Sequence, residues 1–229
     1  MTGGILLLYV IGHLIGNLQV FAGPGDAKTP AKINSYAHML KSLGALLWAA
    51  RIGLLIAVIA HIVATINLTI ENRKAKGGGT QYKKTVQARI STKTMIWSGT
   101  YILCFVIFHI AHYTLFLVEP GWKQLHDAHG LHDVYAMLLV GFSSPVVSIF
   151  YIVGMILLCA HLSHGIESSA QTLGVQTQRV RGLFRIAGRT LAILLAVGYI
   201  SIPVAILAGY GREYREQATA KLVSAKGGN

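Results

Sequence analysis

LCFVIFHIAHYTLFL, residues Leu103 to Leu117, belongs to an apolar run that begins at Met95, and it carries His109 and His112 near its middle. The run reads as a helix crossing a bilayer. An ionisable side chain inside a membrane is costly, so such a residue marks a functional site by default. Three other apolar runs each carry a histidine: His13, His61 and His161. The four positions raise the question of whether they form one device.

Composition sets the class. Mean hydropathy is +0.55, charged residues make up 12% and hydrophobic residues 53%, too apolar for an ordinary soluble domain of this length. The formal charge is +12, but Lys and Arg gather in short segments between apolar runs, where membrane orientation accounts for them better than nucleic acid does. Cys104 and Cys159 stand alone, with no C-x-x-C spacing, and read as small buried hydrophobes.

The expected fold is an all-α integral membrane protein, a single domain over 1–229 with spans at about 3–21, 43–70, 94–118, 144–165 and 186–210. Ser143-Ser144-Pro145 marks the start of the fourth continuous helix, with an interfacial piece before it. Ala22 to Ser42 and Glu119 to Asp133 read as connections, and a polar tail closes the chain. The loops after spans two and four hold the dense basic clusters, including Arg73, Lys74, Lys83 and Lys84 in one and Arg179, Arg181 and Arg185 in the other. The positive-inside rule places these loops and the N-terminus in the cytoplasm. The basic tail then lies outside, a mild conflict with that rule.

Orientation gives each histidine a depth. At about 1.5 Å per residue, His13 and His109 lie about 12 and 13 Å from the outer ends of their spans, and His61 and His161 about 13 and 8 Å from the inner ends. An outer pair and an inner pair follow. A low-spin haem takes two axial ligands on opposite faces, and imidazole is a strong ligand for its iron. Helices facing each other across a bundle core supply that geometry. Two stacked b haems in a four-helix bundle are the resulting expectation, with Gly12, Gly16, Ala60, Ala64, Ala160 and Gly165 as the small residues that admit the macrocycles. The rival is a haem-free histidine-containing transporter or proton channel, which would call for membrane carboxylates and unwound half-helices.

GHLIGNLQVFAGP at Gly12 to Pro24, INSYAHMLK at Ile33 to Lys41, LLWAARIGLLIAVIAHI at Leu46 to Ile62, TMIWSGTYIL at Thr94 to Leu103 and HLSHGIESSAQTLG at His161 to Gly174 resemble the cytochrome b membrane anchor of succinate dehydrogenase and fumarate reductase. They are most similar to the bacterial single-chain, five-helix, di-haem kind. The resemblance covers nearly the whole chain.

The resemblance implies that His13 and His109 ligate the distal haem and His61 and His161 the proximal haem. It implies a flavoprotein and an iron–sulfur subunit on the cytoplasmic face, electron transfer to membrane menaquinone, a bacterial cytoplasmic membrane, and assembly into a higher oligomer of the complex. This chain would then supply electron transfer and the quinone site, not dicarboxylate chemistry. Members of that family usually carry a cytoplasmic segment before the first span, and here the span begins almost at Met1. The cytochrome b of a hydrogenase or formate dehydrogenase would share the haems but not these motifs.

Arg51, Lys93, Ser98, His112, His164, Ser168 and Gln171 are candidate propionate or quinone neighbours, weighed against snorkelling, capping and solvation. His126, His129 and His132 suggest a metal patch or, with Asp127 or Asp133, a proton relay at the outer face. His38 reads as structural.

Overall fold

Inside hydrocarbon every backbone polar group must be satisfied within its own segment, so each apolar run has to be helical. The computed structural model describes residues 2–75, 86–172, 174 and 177–227, and these form helices with no strand among them. The helices are α1 (Thr2–Asn17), α2 (Lys32–Ser42), α3 (Ala45–Ala75), α4 (Val86–Tyr113), α5 (Val134–Phe142), α6 (Pro145–Thr172), α7 (Gln178–Leu207) and α8 (Arg212–Gly227). Short 3-10 turns, Leu18–Ala22 and Pro120–Gln124, follow α1 and precede α5. Five helical stretches are long and apolar enough to cross a membrane: Thr2–Ala22, Ala45–Glu71, Met95–Tyr113, Pro145–Ser169 and Arg179–Leu207. Their exposed residues include Leu8, Trp48, Ile56, Trp97, Ile107, Val146 and Leu194, a surface suited to lipid.

Pro145 opens α6, where its missing N–H costs nothing. The third span stops earlier than 118. Its helix ends at Tyr113, with Leu115 N bonded to the Ile110 carbonyl, Leu117 N to the Ala111 carbonyl and Phe116 at φ 54°. That left-handed residue turns the chain back so that Trp122, 1% exposed, lies against His112.

The closest packing is between α6 and α7, then α4 and α6, then α1 and α3, and α1 also meets α7. Small residues allow these approaches, as lipid-embedded interfaces require. A Cβ on Gly198 would come within 2.8 Å of Leu14, one on Gly154 within 2.6 Å of Phe105, and one on Gly188 within 3.0 Å of Ile166. Tyrosine hydroxyls add ties between elements: Tyr199 donates to the Val10 carbonyl at 2.7 Å and Tyr101 to the Phe150 carbonyl at 3.2 Å. Helix α3 differs, because among the described residues it packs closely only on α1. A seam therefore runs between the α1/α3 pair and the α4/α6 pair.

One end of the bundle is capped by α2, α5, α8 and the two 3-10 turns. The polar tail is itself a helix there. Tyr214, Ala218 and Leu222 recur every four residues, and this stripe packs on the cluster of Trp122, Leu125 and Met137. Asp133 joins the cap together: it is 2% exposed and accepts from Asn34 Nδ2 at 3.1 Å, Ala136 N at 3.0 Å and Tyr214 OH at 2.8 Å. Cys159 is buried as expected, whereas Cys104 is exposed on the apolar surface of α4.

Candidate functional site: two histidine pairs across the seam

The four membrane histidines meet as two pairs, and both pairs bridge the seam. His13 of α1 and His109 of α4 have ring centres 5.7 Å apart at an interplanar angle of 84°; His61 of α3 and His161 of α6 are 6.3 Å apart at 72°. Helix rise fixes their separation. A Cβ on Gly3 would lie 3.8 Å from His61, and one on Gly99 would lie 3.7 Å from His161. Each glycine stands ten residues before the other histidine of its own helix, His13 or His109, so the pairs are about 15 Å apart along the bundle by either route.

The depth matching has a different basis from the one in the sequence. Measured to 118, His109 had the same depth as His13, but α4 ends at Tyr113. Helix α1 likewise ends at Asn17, so each of these histidines stands four residues before the end of its α-helix.

Protonation can be traced from hydrogen bonds. Ser98 Oγ lies 3.2 Å from both the Met95 carbonyl and His161 Nδ1. Its single hydrogen goes to the carbonyl, which can only accept, so Ser98 accepts from His161 Nδ1–H and leaves Nε2 bare. Thr2 Oγ1 stands at 3.5 Å from His61 Nδ1, the outer limit for such a bond. Tyr151 OH lies 3.3 Å from Nδ1 of both His109 and His112. Having one hydrogen, it donates to one ring and accepts from the other. Orienting a ligand imidazole through its second nitrogen is the arrangement that metal-binding histidines require.

Ring stacking fixes the outer pair further. Tyr9 stacks on His13 at 5.4 Å and Phe105 on His109 at 5.9 Å. His112, 2% exposed, stacks on Trp122 at 4.9 Å. Among the described residues, buried Tyr113 OH and Trp122 Nε1 have no hydrogen-bond partner, and Tyr113 is 4.4 Å ring to ring from His112.

The donor set can be tested against a haem. An ion held between two imidazoles at about 2 Å from each nitrogen keeps the ring centres about 6 Å apart. Both pairs have that spacing, and the residues fit. The seam supplies the second condition, since α3 is not packed closely on α4 or α6. The small residues are only partly those expected. A Cβ at Gly16 would strike the Tyr36 ring at 2.6 Å, so Gly16 serves helix–helix packing, while Gly12 and Gly165 face open space.

The lesser candidates separate. Ser98 and His112 join the pairs, as described. Arg51 instead lies over the Trp48 ring at 5.1 Å, on an exposed face, the posture of a snorkelling arginine. His164 is exposed, and Ser168 Oγ donates to the Gly165 carbonyl at 3.0 Å. Lys93 and Gln171 lie outside the described side chains. His38 is exposed on α2. The trio His126, His129 and His132 does not form: His129 Nε2 donates to the Asp26 carbonyl at 3.0 Å, and no group of three metal-binding side chains occurs among the described residues.

Thr2, Gly3, Gly99, Tyr113, Trp122 and Tyr151 were not singled out by sequence reasoning. A signal for the first three was present. Thr2-Gly3 stands ahead of His13 at the same spacing as Ser98-Gly99 ahead of His109, so a hydroxyl–glycine pair ten residues before a histidine occurs on both α1 and α4. Tyr113, Trp122 and Tyr151 carry no such pattern.

No family model, curated protein or solved structure matches the chain.

Proposed function

We propose that this chain is a membrane-anchor cytochrome b of a succinate:quinone oxidoreductase, carrying electrons through two b haems between an iron–sulfur subunit and a membrane menaquinone. The observation that carries the reading is the pair of cross-seam histidine couples, about 15 Å apart, with Nδ1 of His61, His161 and His109 each within reach of a hydroxyl. His13 and His109 would hold the distal haem, and His61 and His161 the proximal one. When bound, the haems supply the one-electron redox centres.

The chain's own residues do the rest. Ser98 and Thr2 orient the proximal imidazoles, and Tyr151 orients His109. The apolar helices keep water from the pairs. At the capped end, Tyr113 OH and Trp122 Nε1 are partnerless donors beside His112, suited to the two carbonyl oxygens of a quinone. His112 and Tyr151 are placed to pass a proton between hydroxyl and imidazole. The basic loops favour, by the positive-inside rule, a cytoplasmic side for the opposite end, which carries the N-terminus and where the flavoprotein and iron–sulfur subunits would dock.

The test is a reduced-minus-oxidised spectrum of the purified chain. A b-type band is expected, halved by His109→Ala and, separately, by His61→Ala. Absence of the band would overturn the reading, and loss of one haem on His112→Ala but not on His109→Ala would overturn the ligand assignment.

A further inference from the structure

Outside the membrane a third histidine pair has the same geometry as the two in the bundle. His126 and His132 are joined by an antiparallel bridge across the loop between α4 and α5, and their ring centres are 6.1 Å apart at an interplanar angle of 77°. Nε2 of each ring has no hydrogen-bond partner among the described residues. His126 Nδ1 lies 3.0 Å from the Gln124 carbonyl, so it is the protonated nitrogen and Nε2 is bare. The His132 Nε2 is buried and has no hydrogen-bond partner among the described residues.

We infer that His126 and His132 form a two-imidazole site for a divalent transition-metal ion at the capped end of the bundle. Three observations support it. The ring spacing is that of two imidazoles sharing one ion, by the same reasoning as for the bundle pairs. His126 Nδ1 is held by the Gln124 carbonyl, the outer-shell pattern of metal-binding histidines. A buried, partnerless Nε2 is unusual enough to need an explanation, and an ion supplies one.

Charge selects the class of ion. Imidazole binds a transition-metal ion as a neutral donor and needs no charge of its own. Lys41 repels a cation, and the Asp133 carboxylate opposes this. Hard ions that rely on charge, Ca2+ and Mg2+, are disfavoured, whereas Cu2+ and Zn2+ bond imidazole strongly. His126 is exposed, which gives the ion a route in from water, and solvent completes the coordination. Bound metal would tie together a loop whose ends carry Trp122 and Asp133.

The experiment uses the full-length purified chain, stripped with chelator and titrated with Zn2+ by calorimetry and with Cu2+ by electron paramagnetic resonance. The expected result is one ion per chain with two-nitrogen coupling on Cu2+, weakened at least ~10-fold in His126→Ala and His132→Gln and unchanged in His129→Ala. His126 is exposed, so its variant tests the site without disturbing the core. Absence of Zn2+ and Cu2+ binding, or affinity unchanged in His126→Ala, overturns the proposal. Haem content is read from the same samples, so failure here is distinguishable from failure of the cytochrome reading.

Discussion

Ser98→Ala is the sharpest perturbation of the inner pair. The hydroxyl accepts from His161 Nδ1–H and donates to the Met95 carbonyl, both at 3.2 Å. The Met95 carbonyl keeps its helical environment when the hydroxyl goes, but Nδ1–H, in apolar surroundings, loses its acceptor. A buried donor left unsatisfied costs about 1–3 kcal/mol, and these long bonds argue for the lower half of that range. At about 1.4 kcal/mol per decade, the affinity of the inner site should fall about 5- to 30-fold, overlapping the ~10- to 100-fold seen when outer-shell partners of metal-binding histidines are removed. The outer pair, about 15 Å away, should be unaffected. The assay is haem retention in purified Ser98→Ala and Ser98→Thr chains, resolved into two components by redox titration. Alanine should deplete one component and threonine should restore it. Equal retention of both haems in Ser98→Ala would refute the reasoning.

Three further outcomes follow from the packing. Asp133→Ala removes a helix cap and two side-chain bonds, for about 3–4 kcal/mol, and should deprotect α2 and α8 in hydrogen exchange; Asp133→Asn should cost less, because Tyr214 OH can accept from the new amide. Gly154→Ala puts a methyl 2.6 Å from the buried Phe105 ring, which stacks on His109, and should destabilise the chain by about 1–3 kcal/mol in thermal unfolding while Gly12→Ala, facing open space, does not. The turn at Asp26 should respond to acid. Backbone N–H groups of Lys28 and Thr29 hold the Asp26 carboxyl below its ordinary pKa, so the turn's stabilisation is present above the usual aspartate range and is lost as pH falls through the depressed value. Exchange of the Thr29 amide against pH checks it, and Asp26→Asn should flatten the profile.

Much of the bundle was legible from composition alone, because a bilayer leaves an apolar segment of about 20 residues only one conformation. The start of α6 at Pro145 was legible for the same local reason. The end of α4 was not. Tyr113-Thr114-Leu115 contains no helix breaker, and the turn at Phe116 exists because Trp122 must pack on His112 and on the α8 stripe. The polar tail hid its small apolar stripe among charges, and its helix gains its stability from the cap.

The sequence by itself determined that five helices are long and apolar enough to cross a membrane and that four of them carry histidines at two levels, since hydrophobicity and helical rise are local properties. Its spacing also held the repeated hydroxyl–glycine pairs ahead of His13 and His109. Which nitrogen each ring presents, and that His126 faces His132 while His129 turns to Asp26, was decided only by tertiary structure. Tautomer and pairing depend on which carbonyls and hydroxyls arrive from segments distant in the chain, and no single segment encodes its partner.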